Sequence, residues 1–210
     1  MTSRETRAIC EMAPIVPVLV IDDAAHARPL AEALVAGGLP ALEVTLRTPA
    51  ALEAIRIMAQ VPGGVVGAGT LVTPEDVRAA KAAGARFGVS PGATDSLLAA
   101  GEAEGLPLLP GAATASEAMR LLERGYDMLK FFPAEASGGA PALKAIGAPL
   151  PQIGFCPTGG VSPQNAGSYL SLPNVVCAGG SWVAPKDLVA AGDWAGIETL
   201  ARAAAALRRG

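Results

Sequence analysis

The sequence predicts an α/β chain built on parallel strands, and three observations predict it. Short apolar, β-branched runs alternate with stretches whose apolar residues recur at helical spacing, from near residue 15 to the end of the chain. Eight strand-like runs can be counted. They recur at intervals of roughly 20 to 25 residues, which leaves room for one helix in each gap. Strands separated by helices pair in parallel through right-handed crossovers. Eight such units in 210 residues match the lower size limit of a (β/α)8 TIM barrel. An open doubly wound sheet is the structural rival, but no G-x-G-x-x-G follows the first strand. No linker or composition break divides the chain, so residues 1–210 are expected to form a single (β/α)8 barrel domain with an additional short N-terminal helix.

The elements follow in order. Residues 2–12 read as that short amphipathic helix. Ile15-Val-Pro-Val-Leu-Val-Ile21 is the first strand, and helical spacing from Asp23 to Val35 ends at Gly37-Gly38, a glycine stop. Ala41 to Leu46 precedes a helix opened by Thr48-Pro49, and Val65 to Ala68 precedes one opened by Thr73-Pro74-Glu75-Asp76. In each Thr-Pro pair the threonine offers an N-cap oxygen and the proline suits the first helical position. Further strands are expected at Phe87 to Ser90, Leu106 to Leu109, Met128 to Phe132, Ile153 to Cys156 and Val175 to Ala178. The helices between and after them are expected at Asp95 to Glu104, Ser116 to Arg124, Pro141 to Ile146, Pro163 to Leu170 and Trp194 to Arg208.

Composition narrows the function. With 51% hydrophobic and 17% charged residues the chain can bury a real core. Net charge is −3 and no dense basic run precedes Arg208-Arg209, so a nucleic-acid partner is not expected. Cys10, Cys156 and Cys177 form no CxxC pair and no metal-ligand spacing, which suits a reduced, cytoplasmic setting. Arg4, Glu5, Arg7 and Glu11 have no long apolar core behind them, so no signal peptide is expected. No stretch approaches the roughly 20 apolar residues that cross a bilayer, so no membrane association is expected. His26, the only histidine, falls in the first helix, on the side expected to face away from the strand ends. With the only histidine expected to face away from the strand ends, neither a histidine-based metal site nor a Ser-His-Asp triad is expected there, and proton transfer falls to a carboxylate.

In such a barrel the chemistry gathers at the C-terminal strand ends. Lys130 stands in the apolar run Met128 to Phe132, where period 2 puts it on one face with Met128 and Phe132. Lysine is almost never fully buried without a partner, which makes Lys130 a candidate amine nucleophile. The alternative is a side chain that reaches water or forms a structural ion pair. Glu43, Thr45 and Arg47 share one face of the second strand, well placed to address a small ligand or to pair with each other. Gly67-Ala-Gly-Thr70 leaves backbone open at the third strand end. Cys156-Pro-Thr-Gly-Gly160 and Ala178-Gly-Gly-Ser181 place a glycine pair at each of the last two. Loops after these strands often bind phosphate through bare N–H groups, though glycines also serve tight turns.

In order, Leu42-Glu-Val-Thr-Leu-Arg47, Gly67-Ala-Gly-Thr70, Ser90-Pro-Gly92, Lys130-Phe-Phe-Pro-Ala-Glu135, Cys156-Pro-Thr-Gly-Gly160 and Gly179-Gly-Ser-Trp182 span nearly the whole chain. They resemble the 2-keto-3-deoxy-6-phosphogluconate (KDPG) aldolase and 4-hydroxy-2-oxoglutarate aldolase family. The resemblance implies a Schiff-base aldolase, a carbon-carbon lyase, that cleaves KDPG to pyruvate and glyceraldehyde 3-phosphate. Lys130 would form the imine and Glu43 would be the general acid/base. Arg47 and Thr70 would hold the substrate carboxylate, and Gly159, Gly160, Gly180 and Ser181 the phosphate. Thr158 and Phe132 would line the aldehyde half and Pro91 the keto-acid half. It further implies no metal or organic cofactor, a homotrimer and a place in the Entner-Doudoroff pathway. A same-mechanism aldolase for the galactonate epimer or an unphosphorylated 2-keto acid remains open.

Overall fold

The structure is a computed structural model that describes residues 2–207. Its strands are β1 (Ile15–Leu19), β2 (Ala41–Thr45), β3 (Val65–Gly69), β4 (Phe87–Val89), β5 (Leu108–Leu109), β6 (Gly111–Ala112), β7 (Met128–Phe131), β8 (Gly154–Pro157) and β9 (Ala178–Gly180). Every ladder between them is parallel. One sheet runs in the order β5-β4-β3-β2-β1-β9 and the other β6-β7-β8, giving an α/β fold of parallel sheets. β5 and β6 are two halves of one extended run parted at Pro110, which has no N–H for the ladder. The Pro110 carbonyl still accepts from the Lys130 N–H at 2.9 Å. Two single parallel bridges, Phe155 to Val175 and Thr158 to Gly179, link the second sheet to the segment carrying β9.

The helices are α1 (Thr2–Cys10), α2 (Ala27–Ala36), α3 (Ala51–Met58), α4 (Pro74–Ala82), α5 (Asp95–Ala103), α6 (Ala115–Glu123), α7 (Gly139–Gly147), α8 (Ala166–Leu170), α9 (Lys186–Ala191) and α10 (Trp194–Ala205). Thr73 caps α4 as its sequence predicts: its hydroxyl accepts from the Asp76 N–H at 3.1 Å, and the Asp76 carboxylate accepts from the Thr73 N–H. Thr114 and Glu117 build the same box at α6. Thr48 does not cap. α3 begins two residues after Pro49, at Ala51, and the Thr48 hydroxyl donates to the Ile21 carbonyl beyond β1. A threonine hydroxyl within reach of a neighbouring carbonyl uses it, and here tertiary contact overrides the local signal.

Two apolar layers hold the strands, and they explain the inward direction of the site. Leu42 and Val44 of β2, and Leu129 and Phe131 of β7, belong to the large core shared with the helices. Ala41 and Met128 instead join a smaller cluster with Val16, Val65, Phe87, Cys156 and Cys177. By alternation Glu43 and Lys130 face the side of that smaller cluster. Full burial of a leucine or valine stabilises by about 1.5–3 kcal/mol. A one-residue slip of β2 would therefore lose Leu42 and Val44 from the core and drive Glu43 into it.

Helix α1 closes the opposite end of the strands. Thr6 donates to the Leu108 carbonyl at 3.1 Å, Ser3 to Gly125 at 3.1 Å and Arg7 to Asp127 at 2.9 Å, all at or before strand starts. Other boundaries move from those expected. β1 stops at Leu19, the last strand starts at Ala178 with Val175 making only a bridge, and α9 is an additional helix. Arg208, the expected end of the last helix, lies outside the described residues. His26 also departs from expectation. It ends a 3-10 turn (Ala24–His26) before α2, on the loop leaving the C-terminal end of β1, and its ring lies 5.8 Å from that of Trp194. Among the described residues no helix is long and apolar enough to cross a membrane.

Candidate active site

Lys130 and Glu43 are brought together from β7 and β2. The ammonium nitrogen lies 3.4 Å from Glu43 Oε1, and the two residues are 5% and 3% exposed. Lys130 is thus almost fully buried and has a carboxylate partner. Its Nζ also sits 5.1 Å from the centre of the Phe132 ring, a cation–π distance. Space for the carboxylate comes from β3: a Cβ added at Gly69 would fall 2.1 Å from Glu43 Oε1. Below the pair, Cys156 is the register partner of Lys130. The Cys156 thiol is held below the usual thiol value, chiefly by the Cys177 hydrogen bond, with the Lys130 charge adding to it.

Arg47 pairs with Thr70, not with Glu43. Its Nε donates to the Thr70 hydroxyl at 3.4 Å. Thr70 has φ +62, which is unusual for a β-branched residue and stores strain of order 1–3 kcal/mol. Such strain persists where the surroundings over-determine it, here at the end of β3 beside an arginine.

One cleft of about 610 Å³ gathers Lys130, Arg47, Phe132, Thr158, Gly159, Gly160 and Ser181. Its size suits a small metabolite. Gly159 and Gly160 have φ +100 and +79, a conformation that favours glycine. The segment after β7 braces them. The Ala134 and Glu135 N–H groups donate to the Thr158 and Gly159 carbonyls at 2.8 and 3.0 Å, and Asn165 Nδ2 donates to the Gly160 carbonyl at 3.0 Å. Glu135 packs its side chain over Gly160 and accepts from the Tyr169 hydroxyl. Burial, then the Glu135 hydrogen bond, pushes the Tyr169 phenol well above its usual range.

Four expected residues are not in the lining of this cleft: Glu43 and Thr70, which meet it through Lys130 and Arg47, and Pro91 and Gly180. Pro91 lines a neighbouring cavity of about 430 Å³ with Ala112 and Ala113, and Phe132 forms the wall common to both. Gly180 is buried in β9 opposite Pro17, with the Trp182 ring over its Cα, and the neighbouring Gly179 lines the cleft instead. The strand-end reading also missed Trp182 and Lys186, which both line the cleft. Trp182 directly follows Ser181, and Lys186 opens α9 five residues beyond it. His26 lines an adjoining hollow that shares Val20, Ala184 and Lys186 with the cleft, so it belongs to the same end of the strands.

A parallel α/β fold with a buried amine against a buried carboxylate, and glycine-lined backbone across one cleft, defines an enzyme of the strand-end active-site type. The KDPG and KHG aldolase family model matches residues 6–200, and the chain belongs to that family. A 2-dehydro-3-deoxy-phosphogluconate aldolase of Pseudoalteromonas atlantica is 58% identical over 92% of this chain and 90% of that protein. The crystal structure of the Zymomonas mobilis ZM4 2-keto-3-deoxy-6-phosphogluconate aldolase with 3-phosphoglycerate is similar at TM-score 0.94 and 50% identity, covering 99% of this chain and 98% of that one. A KDPG aldolase from Legionella pneumophila, with pyruvate captured as a covalent carbinolamine intermediate, is similar at TM-score 0.92 and 48% identity, covering 95% and 98%.

Proposed function

We propose that this chain is a lysine-dependent aldolase that cleaves 2-keto-3-deoxy-6-phosphogluconate to pyruvate and glyceraldehyde 3-phosphate, and that it also acts on 4-hydroxy-2-oxoglutarate. The observation that carries the reading is the 3.4 Å approach of Lys130 Nζ to Glu43 Oε1 inside a buried site. The Lys130 amine, having passed its proton to Glu43, attacks the 2-keto carbon and forms a carbinolamine. Glu43 protonates the departing hydroxyl, and loss of water leaves an iminium. The iminium accepts the electron pair of the breaking C3–C4 bond as the Glu43 carboxylate takes the proton of the C4 hydroxyl, releasing the aldehyde. Glu43 returns a proton to C3 of the resulting enamine, and water then frees pyruvate and the amine.

Arg47 and Thr70 are assigned the substrate carboxylate, the guanidinium through charge-assisted hydrogen bonds. Gly159, Gly160 and Ser181 are assigned the phosphate, with Gly180 shaping that loop from behind. Thr158 and Phe132 are assigned the aldehyde half and Pro91 the keto-acid half. Counting β5 and β6 as one strand, the two sheets and their bridges support reading the chain as a single (β/α)8 barrel domain. A homotrimer in the cytoplasm, serving the Entner-Doudoroff pathway, is part of the same proposal. Exposed apolar side chains such as Val72 and Met119 suit burial between copies.

The test is to add pyruvate and borohydride and locate the adduct by mass spectrometry. The reading expects a single adduct on Lys130 that Lys130→Ala abolishes. Equal labelling of that variant would sink it.

A further inference from the structure

Among the described residues three cations line the cleft, Arg47, Lys130 and Lys186, and no carboxylate does. Two of the three are engaged inside it, Lys130 by Glu43 and Arg47 by Thr70. Lys186 differs. It is the first residue of α9, five residues after Ser181, and its ammonium meets Asp22, on the loop after β1, at 3.4 Å. Both side chains are largely exposed, at 77% and 67%. An exposed pair of this kind contributes little, so Asp22 holds the ammonium at the rim without locking it there.

The glycine loop and Ser181 supply only neutral donors. A phosphate monoester carries about −1.5 to −2 charge at neutral pH, which neutral donors satisfy only in part. Lysine suits the remainder, since its ammonium is a compact point charge on a flexible four-carbon stem. We propose that Lys186 is a specificity-determining residue that leaves Asp22 for the substrate phosphate and sets the preference for phosphorylated over unphosphorylated substrates. Asp22 competes with the phosphate and so limits its affinity. The substrate named here rests on the aldolase reading, but the phosphate contact can be measured without turnover.

Inorganic phosphate titrated calorimetrically into the wild type, Lys186→Met and Asp22→Asn tests the contact. Lys186→Met is expected to weaken phosphate about tenfold, the size of one charge-assisted contact, and Asp22→Asn to tighten it two- to threefold. Both effects should shrink in about 1 M salt, where exposed charges are screened. In turnover, the ratio of kcat/KM for KDPG to that for 2-keto-3-deoxygluconate should fall about tenfold in Lys186→Met. Phosphate affinity and substrate ratio both within twofold of wild type would overturn the inference. Pyruvate labelling of Lys130 reports separately on the aldolase reading. A protein that labels yet binds phosphate equally without Lys186 rejects this inference alone, whereas one that binds phosphate through Lys186 and never labels rejects the aldolase alone.

Discussion

Lys130 and Glu43 face each other at 3.4 Å with almost no exposure, a charge pair held where little water solvates it. Removing one partner of such a pair leaves the other uncompensated, at a cost of about 3–5 kcal/mol, whereas replacing both with neutral groups costs far less. Lys130→Met alone is therefore expected to lower stability in urea unfolding by roughly 3 kcal/mol. Adding Glu43→Gln should recover part of that loss. A double variant less stable than the single one would show that the pair is held by something other than mutual charge.

Glu43→Gln keeps the shape of the carboxylate and removes its proton chemistry. Turnover should fall by about 10²–10⁴, the usual contribution of a positioned acid/base. Pyruvate should still label Lys130, more slowly. Retention of more than a tenth of wild-type kcat would remove Glu43 from the proton-transfer role.

Gly69→Ala tests the space that Glu43 occupies. The new Cβ would fall 2.1 Å from Oε1, and the buried carboxylate has little room to retreat. Overpacking of this kind costs about 1–3 kcal/mol, and the displaced carboxylate should lower kcat tenfold or more while Lys130 itself is untouched. Wild-type kinetics in this variant would mean that Glu43 relocates freely.

At Thr70 the hydroxyl and the strained backbone can be separated. Thr70→Ala removes the Arg47 contact and leaves a side chain at φ +62, whereas Thr70→Gly relieves the conformation as well. Both variants should raise the KM for the keto acid several-fold. Thr70→Gly should melt higher than Thr70→Ala, by a margin equivalent to about 1 kcal/mol. Equal melting points would place the strain elsewhere.

Acid stability should depend on Arg124. Its guanidinium hydrogen-bonds Glu102 at 3.0 Å and holds that carboxyl below its usual value of 4.5. A carboxyl with a lowered folded-state pKa contributes stability above the unfolded value and loses it as pH falls through the folded one. The pair is exposed, so the effect is small, about 0.5 kcal/mol. Melting curves of wild type and Arg124→Met should differ at pH 7 and converge as the pH drops below 4.5. A constant difference would exclude Glu102 as the source.

Much of this protein is legible along the chain because it depends on neighbours. Strand-helix alternation, the Thr73 capping box and the shared face of Met128 and Lys130 are local properties, fixed by backbone period and side-chain chemistry. The glycine pair at 159 and 160 could be read as special from its place at a late strand end, and the structure gives both a φ that favours glycine. Thr48 and Pro110 mark where local signals end. A carbonyl in the loop just beyond β1 takes the Thr48 hydroxyl, and a proline divides a strand that its composition continues.

Charge pairing was not legible in that way. Sequence spacing suggests Arg47 as the partner of Glu43, four residues on, yet the partner is Lys130, 87 residues away. Parallel register sets the heights of β2 and β7, Gly69 leaves room between them, and Arg47 turns to Thr70. Lys186 likewise enters the cleft only because the loop after β9 folds back beside β1. By itself the sequence determined the elements, their inward faces and the chemical types at the strand ends. Which of those groups meet was decided only by tertiary structure, because burial makes a charge take a partner and packing alone decides which one lies within reach.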